Sequence, residues 1–177
     1  MPLSHLTIPG RRYAALMKHL LPHFPKAEEA AFVFCQARPS PGGTEFQFLE
    51  AHPVQRQEFS FRLLYGMELT DACRARVIKR AHDLNASLLE VHSHPRASLA
   101  EFSGSDLRGF AEFVPHVWWR LKNRPYAAIV VAPGGFDSLS WISGPQHADG
   151  VLDLLVGDEH LRPTGLTFEH WRRPHEL

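Results

Sequence analysis

The stretch 88-LLEVHSHPRASLAEFSGSDLRGF-110 decides how the rest of the chain is read. Its first half alternates as an extended segment does, with Leu88, Glu90 and His92 on one side and Leu89, Val91 and Ser93 on the other. His92 and His94 stand at i and i+2, so both imidazoles face one way while the strand continues. Pro95 has no N–H for a sheet ladder and ends the strand. The chain loops and comes back at Ser103. Ser103-Gly-Ser-Asp106 reads as a helix start with a carboxylate in the first turn, where the helix dipole favours it. Two imidazoles and one carboxylate make three ligands, and three leave a fourth tetrahedral position open to water, as in catalytic zinc sites. Each half alone has a plainer reading. A His-x-His pair at a strand end is usually not a ligand pair, and Ser-x-x-Asp is most often only a capping box. In the order strand, loop, helix the two together are far more specific.

Outward from this stretch the pattern is that of alternating helices and strands. Tyr13, Leu16, Met17, Leu20 and Leu21 recur at helical spacing after Gly10, and Pro22 and Pro25 stop them. An apolar run over 30–36 reads as a strand, 39–43 as a turn, and 44–54 as a half-buried strand in which Phe46 and Phe48 alternate with Glu45 and Gln47. A further strand is expected over 58–65. Thr70 is a helix N-cap, with Cys73, Val77, Ala81 and Leu84 on one side of the helix it starts and Asn85 at its stop. After the strand over 87–92, a helix is expected over 103–113, followed by the aromatic 117–121, with one of Trp118 and Trp119 in the core and the other at the surface. Residues 126–132 and 137–142 read as a hairpin about Gly134-Gly135. Residues 151–156 fit strand or helix, and 168–177 show little periodicity. This order predicts a mixed α/β layer fold, a mixed sheet flanked by helices, in one domain spanning 1–177, with its core over about 10–142 and an extension over 145–177.

Composition narrows the class. Of 177 residues 44% are hydrophobic and 21% charged, and 19 basic side chains balance 19 acidic ones. No basic run points to nucleic acid or to an anionic membrane surface. No signal peptide and no span of about 20 apolar residues is seen, so a cytoplasmic location is expected. The two cysteines, Cys35 and Cys73, sit in apolar surroundings and are read as buried thiols. Twelve histidines raise the interest of the pair without deciding it, and His52, His116, His147, His160, His170 and His175 have no spacing that links them to it.

With 92-HSHP-95 followed by 103-SGSD-106, the chain resembles the JAMM/MPN+ (JAB domain) zinc metalloproteases. The resemblance implies the MPN fold, with His92, His94 and Asp106 as zinc ligands and Ser103 as the donor that stabilises the oxyanion. It also implies a glutamate, just before an early apolar strand, as general acid and base. In 28-EEAAFVFC-35 that pattern fits Glu28, with Glu29 second; read alone, both are exposed acids of a connection. Glu90 shares a face with His92 and is a candidate for orienting its imidazole. The loop from His94 to Ser103 is slightly longer than in the commonest eukaryotic members. The implied reaction is hydrolysis of the amide bond after the C-terminal tail of a ubiquitin-like protein, releasing it from conjugates or from its precursor. Short bacterial members resemble the deconjugases of ubiquitin-like antiphage operons (Bil and CBASS types), which makes activating or conjugating enzymes the further implied partners. The alternatives are a zinc metallopeptidase with another substrate and a non-catalytic MPN binding module. The chain is too short for an amidohydrolase barrel, and lacks the Pro-Cys-x-x-Cys of nucleobase deaminases.

Overall fold

The computed structural model of the chain describes residues 4–172. Residues 173–177, with His175 and the end of the 168–177 stretch, lie outside them. In chain order the elements are β1 (Ser4–Ile8), α1 (Gly10–Leu20), β2 (Ala30–Ser40), β3 (Gly43–Pro53), β4 (Phe59–Leu63), β5 (Gly66–Leu69) and α2 (Asp71–Asp83). β6 (Ser87–Ser93), α3 (Gly104–Arg120), β7 (Tyr126–Ala132), β8 (Gly135–Trp141), β9 (Leu152–Val156), β10 (Glu159–Leu161) and α4 (Leu166–Arg172) follow. Eight strands form one mixed sheet in the order β10-β9-β1-β3-β2-β6-β7-β8, and β4 and β5 pair separately.

The central strands β2, β6 and β7 carry near-continuous apolar runs because both faces of the sheet are covered. Side-chain alternation splits them into two cores. Phe32, Phe34, Leu88 and Val130 pack with Val77 and Ala81 of α2 and Phe110 and Val114 of α3. Val33, Leu89, Val91 and Ile129 pack on the opposite face with Leu16 and Leu20 of α1. The sheet curls, and its β8 edge meets the start of β9. There Ser138 Oγ donates to Leu152 O (2.9 Å) and accepts from Leu152 N (2.8 Å), and Ser140 N donates to Gly150 O (2.9 Å). The fold is thus mixed α/β, a curled mixed sheet with helices on both faces. No helix among the described residues is long and apolar enough to cross a membrane.

Several boundaries differ from the sequence reading. The strand expected over 58–65 is a hairpin, because Leu64 and Tyr65 form the turn between β4 and β5. Apolar side chains in that turn hide it from a turn signal. The helix expected to end near 113 runs on to Arg120 through Pro115. Its buried stripe of Phe110, Val114, Val117 and Trp118 continues across the proline, and that packing outweighs the one lost hydrogen bond. Trp118 is buried and Trp119 exposed, as expected. Pro39 and Ser40 belong to β2 rather than to a turn; β2 pairs with β6 only over residues 30–35, so this end of β2 has an open edge that tolerates proline. β1, β10 and α4 had no signal strong enough to read, and 151–156 is strand β9, parallel to β1.

Candidate metal centre

The site is built where β2 and β6 pair antiparallel, with Ala30 opposite His92. Pairing continues one step past the strand. Ser93 N donates to Glu29 O (2.9 Å), and Glu29 N donates to Ser93 Oγ (3.0 Å). Alternation therefore sends the side chains of the two adjacent glutamates to opposite sides. Glu28 is on the His92 side, 6% exposed, with Oε1 3.9 Å from His94 Nε2. Glu29 instead forms an ion pair with Arg62 of β4. Past the end of β6, His94 N donates to Val131 O (2.8 Å). That bond keeps the backbone extended through His94 and holds both imidazoles on one side.

The third arm arrives by the helix start. Asp106 N donates to Ser103 Oγ (3.2 Å), and Ser103 N and Oγ both donate to Asp106 Oδ2 (2.7 and 2.8 Å). This reciprocal cap turns the Asp106 carboxyl back toward the strand end. Its Oδ1 lies 3.4 Å from His92 Nε2 and its Oδ2 3.4 Å from His94 Nε2, and the two Nε2 atoms are 3.3 Å apart. These gaps are long for hydrogen bonds. An ion bound tetrahedrally at about 2.1 Å from each ligand has ligand–ligand edges of about 3.4 Å. His92, His94 and Asp106 could hold a metal ion on this geometry. The second nitrogen of His92 fits the same picture: Nδ1 is buried without a hydrogen-bond partner, and Glu90 Oε1 stands 4.0 Å away. Glu90 Oε2 accepts from Tyr126 OH (3.2 Å), so the carboxyl is held behind the imidazole.

The electrostatics follow from burial and from this convergence. Burial pushes the Glu28 carboxyl above the usual carboxylate range; the nearby His94 and His92 oppose the shift and Asp106 adds to it. Burial also acts to raise Asp106, but the facing imidazoles of His92 and His94, with the Ser103 hydroxyl, outweigh it and hold the carboxyl well below its ordinary value. For His92, burial disfavours the charged form, while the facing Asp106 carboxylate, with Glu90 and Glu28, pushes its pKa up on balance. Burial raises Glu90, against the pull of His92 and Tyr126.

A cleft of about 430 Å³ opens in front of the group, lined by Glu28, His94, Ser103 and Asp106 on one side and by Phe61, Leu63 and Tyr65 of the β4–β5 hairpin on the other. These three hairpin side chains are exposed, Tyr65 at 82%. Sequence reasoning took the hairpin for an ordinary strand and missed this wall. The signal available was the alternation of Phe59, Phe61 and Leu63 with Ser60 and Arg62, closed by Tyr65-Gly66.

A second group of ligand-type side chains is formed by His52, Glu58 and Cys73. Its carboxylate is already saturated. His52 Nε2 lies 2.9 and 3.1 Å from the two Glu58 oxygens, Arg76 pairs with Oε1, and Gln55 N donates to Oε2 (2.8 Å). No protein-family model matches the chain, and no curated protein matches it.

Proposed function

We propose that the chain is a zinc-dependent amide hydrolase of the JAMM/MPN+ type, with the MPN arrangement of sheet and helices. The observation that carries this reading is the meeting of Glu28, from the start of β2, with His92, His94 and Asp106, over a cleft open to substrate. Two imidazoles and one carboxylate are a donor set suited to zinc. Held there, zinc supplies Lewis acidity and brings the pKa of a water toward neutrality.

The chain's own residues divide the remaining work. Glu28 takes a proton from the attacking water and returns it to the departing amine nitrogen. Its burial favours both halves of this task, because a carboxyl pushed upward accepts and releases a proton more readily near neutral pH. The Ser103 hydroxyl borders the cleft and donates to Asp106. Turned from Asp106, this hydroxyl would donate to the carbonyl oxygen that gains charge in the transition state. Glu90, fixed by Tyr126, stands 4.0 Å behind His92 Nδ1, where a carboxylate orients a ligating imidazole.

The substrate is the C-terminal tail of a ubiquitin-like protein, cut from its conjugates or its precursor. An extended tail suits a cleft walled by an exposed two-stranded hairpin and by Phe61, Leu63 and Tyr65. Activating and conjugating enzymes of such a system are the proposed partners. Metal analysis of the purified protein and cleavage of ubiquitin-like fusions test the reading. One zinc per chain and cleavage after the tail are expected. A chain that stays metal-free in the presence of zinc would end it, and cleavage confined to unrelated peptides would reassign the substrate.

A further inference from the structure

The loop that leaves the strand at Pro95 and returns at Ser103 is fastened by residues beyond 130, far along the sequence. At its middle, the β7–β8 turn presses on it so closely that a Cβ on Gly134 would lie 2.9 Å from Ser98 O. Nearer its end, Thr164 Oγ1 donates to Ala100 O (2.7 Å), and Phe102 N donates to Thr167 Oγ1 (3.0 Å). Thr167 is itself anchored, because its hydroxyl donates to Asp137 Oδ2 (2.7 Å). Asp137, on β8, is 0% exposed. It also accepts from Thr167 N and Gly165 N (both 3.0 Å) and from Ser138 N (2.9 Å). Among the described residues no cation pairs with it. A buried carboxyl is costly unless hydrogen-bonded. Here three of its four donors come from the 165–167 segment, so undocking that segment would strand the carboxyl. The attachment is therefore stiff.

We infer that Asp137 and Thr167 are positioning residues of the candidate centre, fixing Phe102 and through it the placement of Ser103 and Asp106. Phe102 is the link. Its ring packs on His92 (centroids 5.7 Å apart) and on Phe110 of α3 (5.2 Å), and it immediately precedes Ser103. A small displacement of the loop end moves the cap that aims Asp106, and displacements of about 1 Å are enough to impair a metal or catalytic site. The inference rests on the metal-hydrolase reading for its purpose, but the brace itself can be judged without it.

The test compares intact wild-type chain with Thr167→Val, which removes the hydroxyl, and Thr167→Ser, which keeps it. Amide hydrogen exchange at Phe102 reports the brace; Co²⁺ affinity and the visible Co²⁺ spectrum report the ligand geometry. Thr167→Val is expected to speed exchange at Phe102, to weaken Co²⁺ binding about tenfold and to alter the spectrum. Thr167→Ser is expected to restore all three. Leu154→Ala, in the opposite core beneath α1, serves as a variant that lowers stability and leaves the spectrum unchanged. If Thr167→Val does not fold, the exposed Thr164→Val, which loses only the bond to Ala100 O, takes its place with the same readouts. Unchanged exchange at Phe102, or a wild-type Co²⁺ affinity and spectrum, overturns the inference. A wild type that binds no Co²⁺ sinks the metal reading alone; exchange at Phe102 then still decides the brace, faster exchange supporting it and unchanged exchange overturning it.

Discussion

His92, His94 and Asp106 at the end of β6, and His52, Glu58 and Cys73 between β3 and α2, are both clusters of ligand-type side chains with atoms close enough to share an ion. They differ in what their donors have left to do. Around Glu58 the carboxylate oxygens are taken by Arg76, His52 and a backbone N–H at hydrogen-bond distance, and a cation already sits beside them. Around Asp106 the imidazoles face the carboxylate and each other across 3.3–3.4 Å, and among the described residues no Lys or Arg side chain pairs with it. The first cluster is a satisfied ion pair that closes a helical turn. The second turns two imidazole nitrogens and a carboxylate toward one another at separations that a shared ion spans. Proximity of histidine, acid and thiol is thus a weak criterion for a metal site, and ligand atoms not already engaged by a neighbouring cation are a stronger one.

The largest effects should separate the clusters outright. His92→Ala or Asp106→Ala is expected to abolish metal binding, measured as metal per chain, while His52→Ala leaves it unchanged. A second equivalent of metal that disappears with His52→Ala would break the comparison. Glu28→Gln is expected to keep the metal and to lower kcat for cleavage of a ubiquitin-like fusion by at least about 100-fold, the usual scale for removing a general base. Glu29→Gln, with its carboxyl turned to Arg62, should keep most of the activity. Inactivation by the Glu29 change and not by the Glu28 change would reverse the assignment of the two.

Next in size is the stability of the satisfied cluster. Glu58→Gln is expected to cost about 1–3 kcal/mol, the range for leaving buried partners unsatisfied, with metal content unaffected. Burial acts to raise Glu58, but the Gln55 N–H, His52 and Arg76 together hold its carboxyl below the usual range. A depressed pKa contributes stability that is present above the unfolded carboxyl pKa and is lost as pH falls through the folded one. The gap between wild type and Glu58→Gln in thermal melts should therefore close in acid. A gap that stays constant with pH would remove the ion pair as its cause.

Glu28 predicts the opposite sign. Its carboxyl is raised by burial, so the folded state holds that proton more tightly than the unfolded chain does. Stability from this group is present in acid and is lost as pH rises through the unfolded and then the folded pKa. Metal-free Glu28→Gln should melt a few degrees above metal-free wild type near pH 7–8, and the two should converge toward pH ~4. A destabilised variant at neutral pH would mean that Glu28 holds the fold together rather than straining it.

Much of this was legible in the sequence, and the exceptions share a cause. His92, His94, Ser103 and Asp106 could be placed because strand alternation, Pro95 and a capping box are local rules, and each acts within a few residues. Glu28 against Glu29 could be ranked only through the family pattern, since what separates them is the pairing of Glu29 with Ser93, 64 residues away. The helix through Pro115 was missed because tertiary packing overrode the local signal, and the turn at Leu64-Tyr65 because its apolar side chains give no turn signal. The role of the segment after 145 was not readable at all. Its fastening to the loop depends on Asp137 and Phe102 meeting Thr167, and no spacing in the sequence announces that contact.

The smallest expected effect concerns Cys73, the thiol of the satisfied cluster. Burial, and then the Glu58 carboxylate, push its pKa up to about 11, and it is 0% exposed. Cys35, on β2, is likewise buried and raised by burial. A thiol reagent reacts with the thiolate, so both cysteines should label very slowly at pH 8 in the folded protein and promptly in denaturant. Glu58→Gln removes one negative neighbour and leaves burial, the larger cause, in place. Labelling of Cys73 in that variant should rise only slightly at pH 9, and only to the extent that the fold stays closed. Rapid labelling of Cys73 in the wild type at pH 8 would instead show a reachable thiolate beside His52 and Glu58. The second cluster would then have a free ligand to offer, and the distinction between a satisfied group and an unfilled one would fail at its weakest point.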